Sequence, residues 1–166
     1  MPLTTSGITV QILSSLRALR DHPEHCTVND CKVVVNHLIR KFSEPLQREG
    51  VNQEMQSMAV AAGNNGDTVR DHAVPVIVLV EQLLEWPNQD LDVSAQNIDR
   101  LGAFLRENLL IVEVTREENR ILSRQGFQSD MPNGWSTEGH PLYRDPLARY
   151  RECRIDVLTI PLRGTV

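Results

Sequence analysis

DTVRDHAVPVIVLVEQLL, residues 67–84, is the stretch on which the fold turns. Apolar residues at 69, 73, 76, 77, 80, 83 and 84 recur at helical spacing. Val74, Val78 and Leu79 make the other faces apolar as well, the pattern of a helix buried on most sides. Pro75 lacks a backbone donor, so a helix over 69–84 either kinks there or starts later, near Asp71 or Val74. The β-branched run at 74–80 keeps a buried strand as the competing reading. Read as a helix, the segment is the central, most buried element of a mainly α domain, closed by Trp86-Pro87-Asn88.

Upstream, Ile8, Ile12, Leu16 and Leu19 share one helical face, which predicts a helix over 8–20. Thr27 caps a second helix whose apolar face is Val34, Val35, Leu38, Ile39 and Phe42, ending near Pro45. A third helix is expected over 51–62, followed by a turn at Gly63-Asn64-Asn65-Gly66. Downstream, Ser94 caps a helix carrying Ile98, Leu101, Leu105 and Leu109, and 110–114 reads as a strand. Thr115 and Glu118 have capping-box spacing, which predicts a helix from 116 to about 124, stopped by Gly126. Residues 126–145 form a long irregular loop, Pro146 opens a short helix through Arg151, and Ile155 to Leu162 is a final strand able to pair with 110–114. The expectation is one α+β domain over residues 1–166, with five to seven helices and a minor two-stranded element near the C-terminus.

The composition, 40% hydrophobic and 23% charged over 166 residues, excludes collagen-like, disulfide-scaffold and wholly disordered classes. Three cysteines cannot all pair within one chain, and the N-terminus has no basic start followed by an apolar stretch, so a reducing cytoplasm is expected. The longest apolar run, Ala73 to Val80, is far shorter than the roughly 20 residues that span a bilayer. The net charge of −5 disfavours nucleic acid as a partner held by the overall field. That charge is unevenly placed: residues 67–114 hold three Arg and nine acidic residues, whereas 115–166 hold eight Arg and seven acidic residues.

Phosphate-binding loops, nucleophile elbows, His-Glu-x-x-His and Cys-x-x-Cys are all missing from the sequence. His22, His25, Cys26 and Cys31 lie within ten residues and are of the types zinc prefers, but their irregular spacing within one short loop departs from paired knuckles. No metal and no cofactor are therefore expected. Arg20 and His25 resemble the Arg-x4-His signature of the helical HEPN ribonucleases, which implies that Arg would stabilise charge on a scissile phosphate while His moves a proton. Pro23 interrupts the helix that presents this pair in that family. Arg70-Asp71-His72 resembles the Asp-His step of HNH nucleases, where His activates water against a metal-bound phosphate; the Asn and second His that the family needs nearby are missing, the next histidine being His140.

The C-terminal third is compositionally distinct. Arg116, Arg120 and Arg124 fall on one helical face, and Phe127, Trp135, Tyr143 and Tyr150 supply four of the seven aromatics. Arg144, Arg149, Arg151 and Arg154 follow. Arginine forks beside aromatic rings suit protein hot spots and phosphate recognition alike, so Arg116, Arg120, Arg124, Trp135, Tyr143, Arg149 and Tyr150 are the candidate binding residues. Met131-Pro132-Asn133-Gly134-Trp135 followed by Asp145-Pro146-Leu147-Ala148-Arg149-Tyr150 resembles the tail of small uncharacterised bacterial proteins, a resemblance that implies no activity. The functional expectation is a non-enzymatic interaction or regulatory module that pairs as a homodimer, anchored by Trp135, Tyr143 and Tyr150. The alternative is a nucleic-acid-processing enzyme of the HEPN or degenerate HNH kind.

Overall fold

The computed structural model describes residues 1–50, 55–63 and 66–160. In chain order its elements are α1 (Thr5–Asp21), α2 (Val28–Arg48), β1 (Met55–Ser57), α3 (Met58–Ala61), β2 (Thr68–His72), α4 (Val76–Leu84), α5 (Ala95–Asn108), β3 (Ile111–Thr115), α6 (Arg116–Arg124), α7 (Ala148–Glu152) and β4 (Val157–Thr159). Short 3-10 turns lie at Asn88–Asp90 and Asn133–Ser136. The class is mainly α with a small mixed sheet, as expected. Two compact units are formed, one from Met1–Asn52 and Val76–Glu107, the other from Gln53–Pro75 and Asn108–Val166. Among the described residues, no helix is long and apolar enough to cross a membrane.

The first unit is helical. Thr4 caps α1 by accepting from the Gly7 amide at 3.0 Å, and Thr27 with Asp30 forms a capping box on α2. The buried faces are Ile8, Ile12, Leu13 and Leu16 on α1, and Cys31, Val35, Ile39, Phe42 and Leu46 on α2. Val34, read from its spacing as part of the buried face, is instead 47% exposed. Pro45 does not end α2, which continues to Arg48 with Pro45 and Leu46 buried; apolar burial outweighs the one missing donor. On α4, which packs against α2, Val76, Val78, Leu79, Val80 and Leu83 are buried. At the other end of the unit, Asn97 donates its side-chain amide to the Gln89 and Asp92 carbonyls, each at 2.9 Å, bracing the entry to α5.

The pivotal stretch therefore divides. Residues 68–72 are a strand, not the start of a helix, and the helix begins at Val76 rather than near Asp71 or Val74. Pro75 stands immediately before the first helical residue, where its missing N–H leaves no helical bond unmade. The helical spacing seen across 69–84 spans two elements because strand and helix both place an apolar residue inward every few positions. The strand alternative for 74–80 is not adopted.

The second unit is built on a four-stranded sheet of order β2-β3-β1-β4, larger than the two-stranded element expected. β1 runs parallel to β3, and the two outer strands are antiparallel to their neighbours. Strand β4 pairs with β1 and not with the 110–114 segment, because both edges of β3 are already taken by β2 and β1. The expected helix over 51–62 is replaced by β1 and α3; residues 51–54 lie outside the described residues, as do 64 and 65 of the expected turn and 161 and 162 of the expected final strand. Met55, Ala73, Val112, Val114, Leu122, Tyr150 and Ile155 form the core cluster of this unit. The 116–124 helix forms as predicted: Thr115 accepts from the Glu118 amide at 3.1 Å while Glu118 accepts from the Thr115 amide at 2.9 Å. Glu118 also accepts the buried Ser57 hydroxyl at 2.7 Å, tying α6 to β1. Gly126, at φ 80, closes α6 with Phe127 N–H on the Leu122 carbonyl and its own N–H on Ser123.

Candidate functional site

Register places Asp71 opposite Val112 on the core side of β2, since alternate residues of a strand share a face. A carboxylate there requires partners, and α7 supplies two. Arg149, 1% exposed, donates from Nη2 to Asp71 Oδ2 at 2.6 Å, and the Tyr150 hydroxyl donates to the same oxygen at 2.5 Å. The remaining donors of the guanidinium are nearly all used on carbonyls: Nε to Ala73 at 2.9 Å, Nη1 to Phe127 at 2.5 Å and Nη2 to His72. One side chain thus ties the end of β2, the exit of α6 and α7 together, with the fork geometry that only arginine offers. Burial pushes the Tyr150 hydroxyl well above its ordinary value, and the charge of Asp71 adds to the shift while Arg149 opposes it.

Arg149 and Tyr150, expected at a contact surface, are therefore interior, as is Trp135 at 6% exposure. The double substitution Trp135→Ala with Arg149→Glu, which sequence reasoning expects to separate protomers without unfolding, instead removes two internal supports. Sequence could not reveal this, because the partners of Arg149 other than Phe127 lie 76 to 78 residues away.

What the 127–147 segment does expose is the edge above Trp135. Arg144 has its guanidinium carbon 5.1 Å from the Trp135 ring centre and 5.6 Å from that of Tyr143, which is 41% exposed. The Arg144 backbone is left-handed, φ 54, an uncommon conformation for a residue with a Cβ, and its N–H donates to the Trp135 carbonyl at 3.0 Å. The Trp135 Nε1 is buried with no hydrogen-bond partner among the described residues. Beside this edge lies a cleft of about 320 Å³ lined by Phe127, Met131, Pro132, Asn133, Gly134, His140 and Glu152. The His140 ring closes over Gly134 so tightly that a Cβ there would lie 2.3 Å from the imidazole. His140 Nδ1 accepts from the Leu142 amide at 3.1 Å. Phe127 stands in the sequence reading as one of the clustered aromatics and Met131 to Gly134 as the stretch leading to Trp135, but nothing there places them around a cleft with His140 and Glu152.

Arg116, Arg120 and Arg124 occupy the exposed side of α6, each beside a carboxylate: Arg116 to Asp67 at 2.9 Å, Arg120 and Arg124 to Glu117 at 3.3 and 3.8 Å. Exposed pairs of this kind contribute about 0–1 kcal/mol. Glu118 turns inward to Thr115 and Ser57 instead.

In the helical unit, Arg20 donates to the Leu84 carbonyl and, at 3.4 Å, to that of Trp86, so the guanidinium of the HEPN-like pair holds the end of α4. His25 is exposed in the loop after α1, beside Glu24. The four residues of zinc-ligand type separate: His22 and His25 are exposed, whereas Cys31 is buried on α2 with its Sγ 3.6 Å from the Ser15 carbonyl. Burial pushes the Cys31 thiol up, Cys26 adds to the effect and Arg20 opposes it. Among the described residues, no group of three or more His, Cys, Asp or Glu is placed to hold a metal ion. Asp71 of the HNH-like motif is committed to Arg149 and Tyr150. In comparisons with known proteins, no family model, no curated protein and no solved structure matches this chain.

Proposed function

We propose that the chain is a non-enzymatic interaction or regulatory module whose contact surface is the exposed side of segment 127–152, and that its partner is a second copy of itself. The observation that carries this reading is Arg144, held left-handed against Trp135 and Tyr143 at an exposed edge. Backbone held in a sparsely populated region at a surface loop is characteristic of binding sites, where the surrounding structure maintains it for use. Arginine and tyrosine on a rigid tryptophan support bury area at small entropic cost, the composition of interface hot spots. The acidic 67–114 segment and Arg-bearing 115–166 segment add complementary charge for two-fold pairing.

Sedimentation velocity across the micromolar range tests this. The unmodified chain should sediment as a dimer, and Tyr143→Ala with Arg144→Gln as a monomer of unchanged melting temperature, since both side chains are exposed. A monomeric unmodified chain contradicts the reading. A second reading, nucleic-acid processing in the cytoplasm, draws on the exposed Arg116, Arg120 and Arg124 face; cleavage of RNA or DNA by the pure protein, with and without divalent metal, would favour it.

A further inference from the structure

Resting on the reading of segment 127–152 as a contact surface, we infer that the cleft beside Trp135 is a receptor for a single cationic side chain, lysine or arginine, of a bound polypeptide. Its volume, about 320 Å³, lies at the small end of ligand pockets, which run from about 300 to 1,000 Å³. That is room for one long side chain. One part of the wall is apolar: Phe127, Met131 and Pro132 offer a ring, a thioether and a pyrrolidine along which an aliphatic stem can lie.

Polarity comes from Asn133, His140 and Glu152. The Leu142 amide donates to His140 Nδ1, which ties the imidazole back to its own loop. The carboxylate lining the cleft is that of Glu152. Glu152 has no ion pair among the described residues, whereas its neighbour Arg151 is taken by Asp145 at 2.5 Å. A carboxylate across from an apolar, aromatic stretch of wall is complementary to a cation on a hydrocarbon stem, through a charge-assisted hydrogen bond to Glu152 and a cation–π contact to Phe127. An acidic side chain would meet Glu152 with like charge, and a purely apolar one would gain nothing from the exposed carboxylate.

The test is a titration of the ¹⁵N-labelled chain with the blocked tripeptide Ac-Ala-Arg-Ala-NH2, its lysine analogue, and glutamine and glutamate analogues as controls, followed by amide chemical shifts. The arginine or lysine peptide should move the amides of Phe127, Asn133, Gly134, His140 and Glu152, with a dissociation constant in the millimolar range expected of so small a contact. The glutamine peptide should bind about tenfold more weakly, and Glu152→Gln should remove that preference while leaving the amide spectrum of the rest of the chain in place. Equal response to the glutamine or glutamate peptide, an unchanged preference in Glu152→Gln, or no response at all overturns the inference. A dimer that sediments as proposed but ignores the cationic peptides rejects this inference alone; peptide binding by a strictly monomeric chain rejects self-pairing alone.

Discussion

Arg149 and Tyr150, adjacent on one short helix, both donate to a single oxygen of Asp71, at 2.6 and 2.5 Å. The oxygen faces the core of the sheet unit, and Arg149 spends further donors on the carbonyls of His72, Ala73 and Phe127. Lysine has a point charge and three donors without a planar fork, so Arg149→Lys leaves buried carbonyls unsatisfied. The expected cost is about 2–4 kcal/mol in urea unfolding, for one or two orphaned buried acceptors.

Tyr150 gives the fold a pH dependence of definite sign. Its hydroxyl keeps its proton in the folded state above the ordinary value of 10.0. Above that pH the unfolded chain binds fewer protons than the folded one, so stability is full below about pH 10 and falls as pH rises past it. Tyr150→Phe should make the decline shallower by up to about 1.4 kcal/mol per pH unit, read from urea midpoints between neutral and strongly alkaline pH. Cys31 and Cys153, whose thiols burial also pushes up, are present in both proteins and cancel in the comparison.

The helix that begins after Pro75 makes a positional prediction. Leu79 is fully buried, and Leu79→Ala should cost about 2–5 kcal/mol. Ile77, assigned by spacing to the buried stripe, is only half-buried, so a carboxylate there can reach water. Ile77→Asp should therefore destabilise less than Leu79→Asp, a ranking that thermal unfolding reads directly. A buried strand over 74–80 would instead make alternate residues equivalent, Ile77 with Leu79.

The parts of the fold legible in the sequence are those specified locally. The Thr27 cap, the Thr115–Glu118 box and the Gly126 stop each follow from groups within a few residues of one another, and each forms. Strand β2 was hidden because Val69 and Ala73 also satisfy a helical interval, and only pairing with β3 selects the extended form. The interior position of Arg149 was hidden for a stronger reason. Arg149, Arg151 and Arg154 look alike in the sequence, and only the arrival of Asp71 beneath α7 draws the first inward while Arg151 stays at the surface with Asp145. Composition did locate the segment that carries the exposed aromatic–arginine edge, through Trp135 and Tyr143, but not the cleft, whose lining residues share no periodicity.

Thiol exposure offers an independent check on the helical unit. Cys31 is 2% exposed and its thiol is raised by burial, whereas Cys26 is half-exposed in the loop before α2. In a chain already carrying Cys153→Ser, since Cys153 is also partly exposed, a colorimetric disulfide reagent at pH 8 should react first with Cys26 and with Cys31 only as fast as the helices open, so adding Cys26→Ser should abolish the fast phase. A fast phase that survives Cys26→Ser and disappears in Cys31→Ser would contradict the placement of α2.

The measurement that bears most directly on this account is a double-mutant cycle between Asp71→Asn and Arg149→Met, read by urea unfolding. If the guanidinium is an internal clamp closed on Asp71, each single change leaves its partner's charge buried and costs about 3–5 kcal/mol, and the double variant costs well under the sum, with a coupling of at least about 1.5 kcal/mol. Costs that add to within about 0.5 kcal/mol, or an Arg149→Met protein as stable as the unmodified chain, would mean that Arg149 is not held by Asp71 and that the surface assigned to Tyr143 and Arg144 lacks its support.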